Sequence, residues 1–281
     1  MPAMTVSNVA GKENKYFIPS SVEESERLSI LHEVFIEPTT RFLNLAGISS
    51  SNLAPISVVD VGCGTGQMTK WLSDNVHGYV LGIDNDMQQL CKASANVKST
   101  DLCAVKFDCL NILSDDQPNQ QFDVVYCRFL LHHLSDPLKA IENLLRMTKT
   151  NGKIIIGEPV MHGRWIYPDY DEYHEIYNLH LKNQSNHIWD PNYGMRLLSD
   201  IAKFSNAVVR AHEHFRPILY TEKTKRHHLL VLEIFGSEFV KKGLISSSRL
   251  IDLRAKSMDI AKNNMCYTDL FGVVFVCIQK I

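Results

Sequence analysis

A disulfide framework is missing from this 281-residue chain: its seven cysteines are an odd number, and no two form a Cys-x-x-Cys pair. That spacing excludes a zinc ribbon or a stapled scaffold, and several of the cysteines lie in apolar runs, where cysteine acts as a small buried hydrophobe. A reduced compartment is expected. Long hydrophobic stretches are also lacking. Nothing approaches the roughly 18 apolar residues of a membrane span, and the opening MPAMTVSNVAGKENK has no apolar core of a secretory signal. The expectation is a soluble, cytoplasmic protein with no membrane partner. Charge of one sign is scarce too: the formal net charge is -2, which gives no broad attraction to phosphate backbones or anionic lipid. Nucleic acid is therefore not the expected partner, and the oligomeric state is left open. Internal repeats, low-complexity runs and Pro/Gly-rich linkers are absent, so one domain with embellishments is expected. What is present, 45% hydrophobic and 21% charged residues, is ordinary for a protein with a true core.

Four stretches divide the chain: 1–50, a polar tail and helices; 51–160, an α/β core; 161–195, an inserted cap; and 196–281, the rest of the core with a helical insertion. Ser21 with Glu24 is a capping-box pattern, and Leu28, Leu31 and Phe35 share a helical face. Pro38 suits the start of a second helix ending at Gly47. From Ile56 onward, short apolar strands (56–61, 79–83, 102–107, 122–127, 153–157) alternate with helical patterns (66–74, 86–95, 137–147). Strand, helix, strand at this pitch predicts an α/β fold with a doubly wound, mostly parallel sheet. Beyond the cap, a helix over 192–204, a strand over 207–219, helices over 224–242 and 247–263 and a final strand over 270–279 are expected.

The strongest local signal is Val58-Val59-Asp60-Val61-Gly62-Cys63-Gly64-Thr65-Gly66-Gln67. It puts a glycine turn at the carboxyl end of the first core strand, where open α/β sheets bind ligands. The dinucleotide fingerprint GxGxxG aims backbone N–H groups at a pyrophosphate. Here the spacing is GxGxG, with Gln67 at the third glycine position, and Asp60 two residues before the turn would repel a pyrophosphate. S-adenosylmethionine, cationic and free of phosphate, fits such a turn better. Asp84 ends the next strand, in Val80-Leu81-Gly82-Ile83-Asp84, where a carboxylate accepts ribose hydroxyls of nucleoside cofactors. Asp108 ends a third strand, where accepting an adenine amino group and standing as a solvated strand-end acid are the competing roles.

Taken in order, DVGCGTG, GIDND, FDCL and FDVVYCRFLLHHLSDP resemble the class I S-adenosylmethionine-dependent methyltransferase family, closest in character to its small-molecule and quinone-biosynthesis members. The likeness covers about 56–160, extends plausibly to the N-terminal helix, and is loose beyond 160. It implies a transferase whose cofactor is S-adenosylmethionine. By position it implies that Asp60, Gly62, Gly64 and Gln67 surround the methionine part, that Asp84 holds the ribose, and that Asn85 and Met87 lie near the adenine. Asp108 and Cys109 would bracket the adenine edge, and Arg128 would lie by the amino end. Tyr16 and Arg27 match the tyrosine and helical arginine that similar enzymes fold over the cofactor, with Arg27 able to pair with its carboxylate; a place on a solvated helix face is the competing role for Arg27.

His132 and His133 follow the fourth strand, and Glu158 ends the fifth; all three are candidate general bases for removing an acceptor's proton. Packing or cofactor support is the competing role for the histidines, and a hydrogen-bonded structural role competes for Glu158. The cap is dense in Trp, Tyr and His, including His180, His187 and Trp189; Trp165, Tyr167, Tyr173 and Tyr177 are its candidate contacts with an acceptor. Tyr170, Tyr173, His174 and Tyr177 share a helical spacing, and an aromatic face suits a planar or apolar acceptor. Packing of the cap onto the core is the competing role. His212 and His214 alternate on a strand without a third ligand, so no metal is expected. The expected function is methyl transfer to a small organic acceptor. An RNA or protein methyltransferase is the alternative on this fold, but Cys127-Arg128-Phe129-Leu130 stands where amino-methylating members carry Asn/Asp-Pro-Pro-Tyr/Phe. A nicotinamide-dependent oxidoreductase is disfavoured by the glycine spacing and Asp60. A non-catalytic binding protein on the same scaffold is the last alternative.

Overall fold

The computed structural model describes residues 21–49, 51, 53–116, 120–184 and 188–281, and the statements below concern these. Chain order runs α1 (Val22–Leu45), β1 (Ile56–Val61), α2 (Gln67–Asn75), β2 (Gly78–Asp84), α3 (Met87–Asn96), β3 (Cys103–Cys109), β4 (Phe122–Arg128), a 3-10 turn (Leu131–His133), α4 (Pro137–Met147) and β5 (Thr148–Val160). It continues with β6 (Ile166–Tyr167), α5 (Asp171–Gln184), α6 (Tyr193–Ile201), β7 (Ala207–Phe215), β8 (Ile218–Leu219), α7 (Glu222–Lys225), α8 (His227–Lys241), α9 (Ser247–Lys262), β9 (Tyr267–Asp269) and β10 (Gly272–Lys280).

Seven of these strands form one sheet in the order β3-β2-β1-β4-β5-β10-β7. β1 pairs in parallel with both β2 and β4, and β10 runs antiparallel to β5 and β7. The expected doubly wound, mostly parallel sheet is what forms. Because the strand order reverses at β1, the loops after β1 and β4 diverge and leave a crevice at their carboxyl ends. Alternation within β1 explains the two faces. Val58 packs with Val80, Tyr126 and helix residues such as Phe42 and Leu72; Val59 and Val61 pack with Leu131, Leu144 and Leu197 on the other side.

Ser21 caps α1, its hydroxyl accepting the Glu24 N–H at 3.1 Å. The helix then runs through Pro38 rather than restarting there. An interior proline removes one helical hydrogen bond at a cost of about 3 kcal/mol. Burial of Phe35 and Phe42, whose rings lie 5.2 Å from Phe271 and 5.5 Å from Phe275, offsets that loss. The expected strand over 207–219 also differs: it stops at Phe215, and Ile218–Leu219 leaves for a second, three-stranded sheet ordered β6-β9-β8. The single helix expected over 224–242 is α7 followed by α8.

The two expected insertions pack as one layer. Ile176 and Leu179 of α5 share an apolar cluster with Leu232, Phe235 and Phe239 of α8 and Leu253 of α9. None of the described helices is long and apolar enough to cross a membrane. Asp269 ties this layer to the core. It is fully buried, and its carboxylate accepts from Tyr173 Oη at 2.8 Å and the Trp165 N–H at 3.2 Å while pairing with Arg164 and Arg216. Arg164 is itself 7% exposed. Removing one partner of such a buried pair strands the other's charge. Asp269→Ala is therefore expected to lower the unfolding free energy by about 3–5 kcal/mol in urea denaturation, and a loss below about 1 kcal/mol would show that the hub contributes no more than a surface pair.

Candidate functional site

The chain leaves β1 through three glycines in the left-handed region: φ is +74° at Gly62, +52° at Gly64 and +81° at Gly66. A Cβ on Gly66 would lie 3.0 Å from Ala93, so that glycine lets the turn press against α3. A Cβ on Gly64 would meet nothing within 4 Å. At Gly64 the backbone borders open space, where a ligand can approach it closely. Asp84 holds this geometry from β2: one oxygen accepts the Gly64 N–H at 2.8 Å, the other the Asp86 N–H at 2.9 Å. Burial raises the Asp84 pKa, and the two amide donors oppose the rise. Asp60, 2% exposed, accepts from the Thr69 hydroxyl at 2.6 Å. Burial lifts its pKa to about 6, against the pull of Thr69 and the Arg128 charge.

A cavity of about 540 Å³ opens over this turn. Asp60, Gly62, Gly64, Gln67, Asp84, Asn85 and Asp86 line one side of it. Arg27 and Arg128 also line it. Arg27 forms a two-pronged pair with Glu24 at 2.7 and 2.8 Å, and Arg128 donates to the Thr39 hydroxyl at 2.8 Å with its guanidinium 5.1 Å from the Phe129 ring centre. Met87, Asp108 and Cys109, expected at the adenine edge, are not among the lining residues: Asp108 is exposed, and Cys109 Sγ points to the Asn85 carbonyl at 3.8 Å. Tyr16 lies outside the described residues.

The turn after β4 supplies the histidines. Phe129 has φ +57°, a conformation that a bulky side chain rarely adopts and that costs about 1–3 kcal/mol. It is held by its N–H bond to the Gly157 carbonyl at 2.9 Å and by edge contacts to Phe35 and Phe271. The reversal presents three successive amides to Glu158. One carboxylate oxygen accepts the N–H groups of Leu130 (3.0 Å) and Leu131 (2.9 Å); the other takes that of His132 (3.2 Å) and lies 2.8 Å from His132 Nδ1. Glu158 is fully buried and absent from the cavity lining. Burial raises its pKa to about 7 against the three amide donors. Its expected place as a base facing the acceptor thus gives way to a position beneath the turn. His132 and His133 do line the cavity, with ring centres 3.9 Å apart. Burial lowers the His132 pKa to about 3 and that of His133 well below the usual imidazole value, with Arg27 adding to both shifts. Both rings are neutral near pH 7.

The four aromatic residues expected to meet an acceptor lie elsewhere. Tyr173 is buried on Asp269, and the Tyr177 hydroxyl donates to the Met161 carbonyl at 2.8 Å. Trp165 and Tyr167, 36% and 65% exposed, border a separate apolar surface pocket with Ile218, Tyr220 and Tyr267. The cap reaches the cavity instead through His180 and Gln184 of α5, with Trp189 and Met161. Helical spacing held a signal for them: Tyr173, Ile176, His180 and Gln184 follow i, i+3, i+7, i+11. Burial lowers the His180 pKa to about 3. Among the described residues, no group of three His, Cys, Asp or Glu side chains is arranged to hold a metal ion.

Glu158→Ala is expected to leave the amides of residues 130–132 without their acceptor and to speed their hydrogen exchange at least about tenfold, roughly the loss of one hydrogen bond. Glu158→Gln, which keeps a carbonyl oxygen, should fall between. Unchanged protection in the alanine variant would mean that something else holds the turn.

A family profile described as a methyltransferase domain matches residues 59–156. The phosphoethanolamine N-methyltransferase of Triticum aestivum is 28% identical over 123 residues, 44% of this chain and 23% of that protein. The ubiquinone biosynthesis O-methyltransferase of Neisseria meningitidis is 27% identical over 99 residues, 34% of this chain and 41% of that protein. The chain therefore spans less than half the length of either relative. Among solved structures, coclaurine N-methyltransferase bound to N-methylheliamine and S-adenosylhomocysteine superposes with a TM-score of 0.52 at 14% identity, over 93% of this chain and 72% of that one, a likeness of fold. With the doubly wound sheet and the acid-flanked glycine turn, these similarities identify residues 59–156 as a methyltransferase domain of the class I S-adenosylmethionine-dependent family.

Proposed function

We propose that the chain transfers a methyl group from S-adenosylmethionine to a small organic acceptor enclosed between the glycine turn and the cap. The observation that carries this reading is one cavity with two unlike sides: three carboxylates and a glycine turn on one, neutral histidines on the other. Asp60, Asp84 and Asp86 would repel a pyrophosphate and attract a cation, which supports the sulfonium cofactor over a nicotinamide dinucleotide. In this reading Asp60, Gly62, Gly64 and Gln67 take the methionine part, Arg27 its carboxylate, Asp84 the ribose and Asn85 the adenine side. Met87, Asp108 and Cys109 stand outside that set. Bound there, the cofactor supplies a methyl group made electrophilic by its sulfonium sulfur.

The protein's own work is alignment, exclusion of water and movement of one proton. Fixing the reactants in line accounts for about 7–11 kcal/mol in well-oriented systems. With Nδ1 directed to Glu158, His132 keeps Nε2 as the nitrogen that takes the acceptor's proton. Glu158 acts through His132 as a positioning residue: its carboxylate fixes the ring and stabilises the imidazolium formed on proton uptake.

Calorimetry is expected to show S-adenosylhomocysteine binding and NAD failing to bind; the reverse result would discard the reading. Asp84→Ala should weaken binding by about 1–3 kcal/mol, through lost charged hydrogen bonds and a loosened Gly64, and unchanged affinity in a folded variant would remove Asp84 from the site. The raised Asp60 pKa sets a pH dependence. Below about 6 the carboxyl is neutral and above it anionic, so affinity for the cationic S-adenosylmethionine should rise several-fold from pH 5 to pH 7. Titrations at both pH values with Asp60→Asn should lose that rise; a variant that retains it would assign the dependence to another group.

A further inference from the structure

The cavity's charges are distributed unevenly. Every carboxylate that lines it, Asp60, Asp84 and Asp86, belongs to the segment from β1 to the start of α3. The facing wall carries His132, His133, His180, Gln184 and Trp189, with Met161 and Phe271 closing the apolar part. No carboxylate among the described residues lines that wall. Arg27 is matched by Glu24 at 2.7 Å, and Arg128 donates to the Thr39 hydroxyl with its charge acting on Asp60, so neither arginine offers a full charge to a charged acceptor.

From this partition we infer that the acceptor is an uncharged, largely apolar molecule whose reacting atom is a hydroxyl oxygen, seated against His180, Gln184 and Trp189. The inference rests on the methyl-transfer reading above. An ammonium brought to this wall would shed its water beside Arg27 and three imidazoles; among the described residues the nearby carboxylates, Glu158 and Asp190, act on His132 but do not line the cavity to replace that water. A phosphate would likewise meet apolar side chains, with Arg27 shared between Glu24 and, in the reading above, the cofactor's own carboxylate. A hydroxyl loses little on entry. It bears a proton that must leave, and the ring braced by Glu158 is positioned to take it. The step balances: the O–H proton passes to His132 Nε2, the oxygen–methyl bond forms, the methyl–sulfur bond breaks, and its electron pair stays on sulfur to give the neutral thioether. Burial keeps His132 and His180 uncharged at neutral pH, so His132 takes the proton only as the methyl is transferred and the sulfonium's positive charge disappears.

The full chain, incubated with methyl-tritiated S-adenosylmethionine and a small-molecule extract of its source cells split beforehand on cation and anion exchangers, tests this directly. Label should enter the uncharged pool at least tenfold above either charged pool, in a product stable to mild alkali, as a methyl ether is and a methyl ester is not. Label in the cationic or anionic pool, or lost to alkali, overturns the acceptor class while leaving methyl transfer intact. No label in any pool, with S-adenosylhomocysteine still bound, overturns methyl transfer itself and this inference with it. His180→Leu should cut labelling at least tenfold with S-adenosylhomocysteine affinity within twofold; undiminished labelling would remove the α5 wall from the acceptor site.

Discussion

Carboxylates buried at the carboxyl edge of the sheet must find hydrogen-bond donors, and the crevice takes its form from where they find them. An ionised carboxylate removed from water is costly unless several donors replace the lost hydration. Asp84 finds the Gly64 and Asp86 amides, and Glu158 finds three amides and an imidazole. Asp60 finds the Thr69 hydroxyl of α2. Each bond joins a strand to the loop or helix beside it, so satisfying the acids also fixes the glycine turn, the start of α3 and the histidine turn relative to one another. A shift of any one loop would leave a buried oxygen without its donor, which is why this edge of a doubly wound sheet holds a defined shape around an open volume.

The strain at Phe129 belongs to the same arrangement. Continuing the β4 backbone in extended form would carry residues 130–132 away from Glu158. The left-handed residue turns them back, and the amide bonds gained, about 1 kcal/mol each net, offset the conformational cost. On the far side of the cavity, Asp269 does for the cap what Glu158 does for the turn: one buried carboxylate gathers donors from the residues just before β6, from α5 and from the segment after β7. The cap is thereby tied to the core by a few charged contacts and by the apolar seam of α5, α8 and α9, whereas the cofactor side is braced within the sheet itself.

What the sequence revealed follows from which interactions are local. The alternation of apolar strands with helices, the GxGxG spacing and acids at successive strand ends are encoded within a few residues, and β1 and α4 fall where the pattern placed them. Asp60, Asp84, Arg27 and the His132–His133 pair were legible for the same reason, since strand-end position and capping dictate where they go. The continuous α1 was not legible, because the cost of Pro38 is local while its compensation comes from Phe271 and Phe275, far along the chain. The cap was misread for a related reason. Aromatic richness says that α5 has a packing face, but not whether Tyr173 turns to the cavity or to Asp269, some 96 residues away. The strands β6, β8 and β9 hold only two or three residues each, too few for any periodicity to register.

The same division governs the chemistry. Burial raises the pKa values of the acids near the glycine turn, and amide and hydroxyl donors limit that rise; the imidazoles across the cavity are stripped of charge by burial and by Arg27. A cationic cofactor therefore has a reason to occupy one side and none to occupy the other. In the proposed reading that asymmetry orients it, with the methionine part toward Asp60, the ribose toward Asp84 and the transferable group at the boundary with the histidines. The hydroxyl oxygen of the proposed acceptor would then meet the methyl carbon where the electrostatic field passes from anionic to neutral. In that reading the proton would pass to the imidazole braced by Glu158, without a second charge having to enter the wall beforehand.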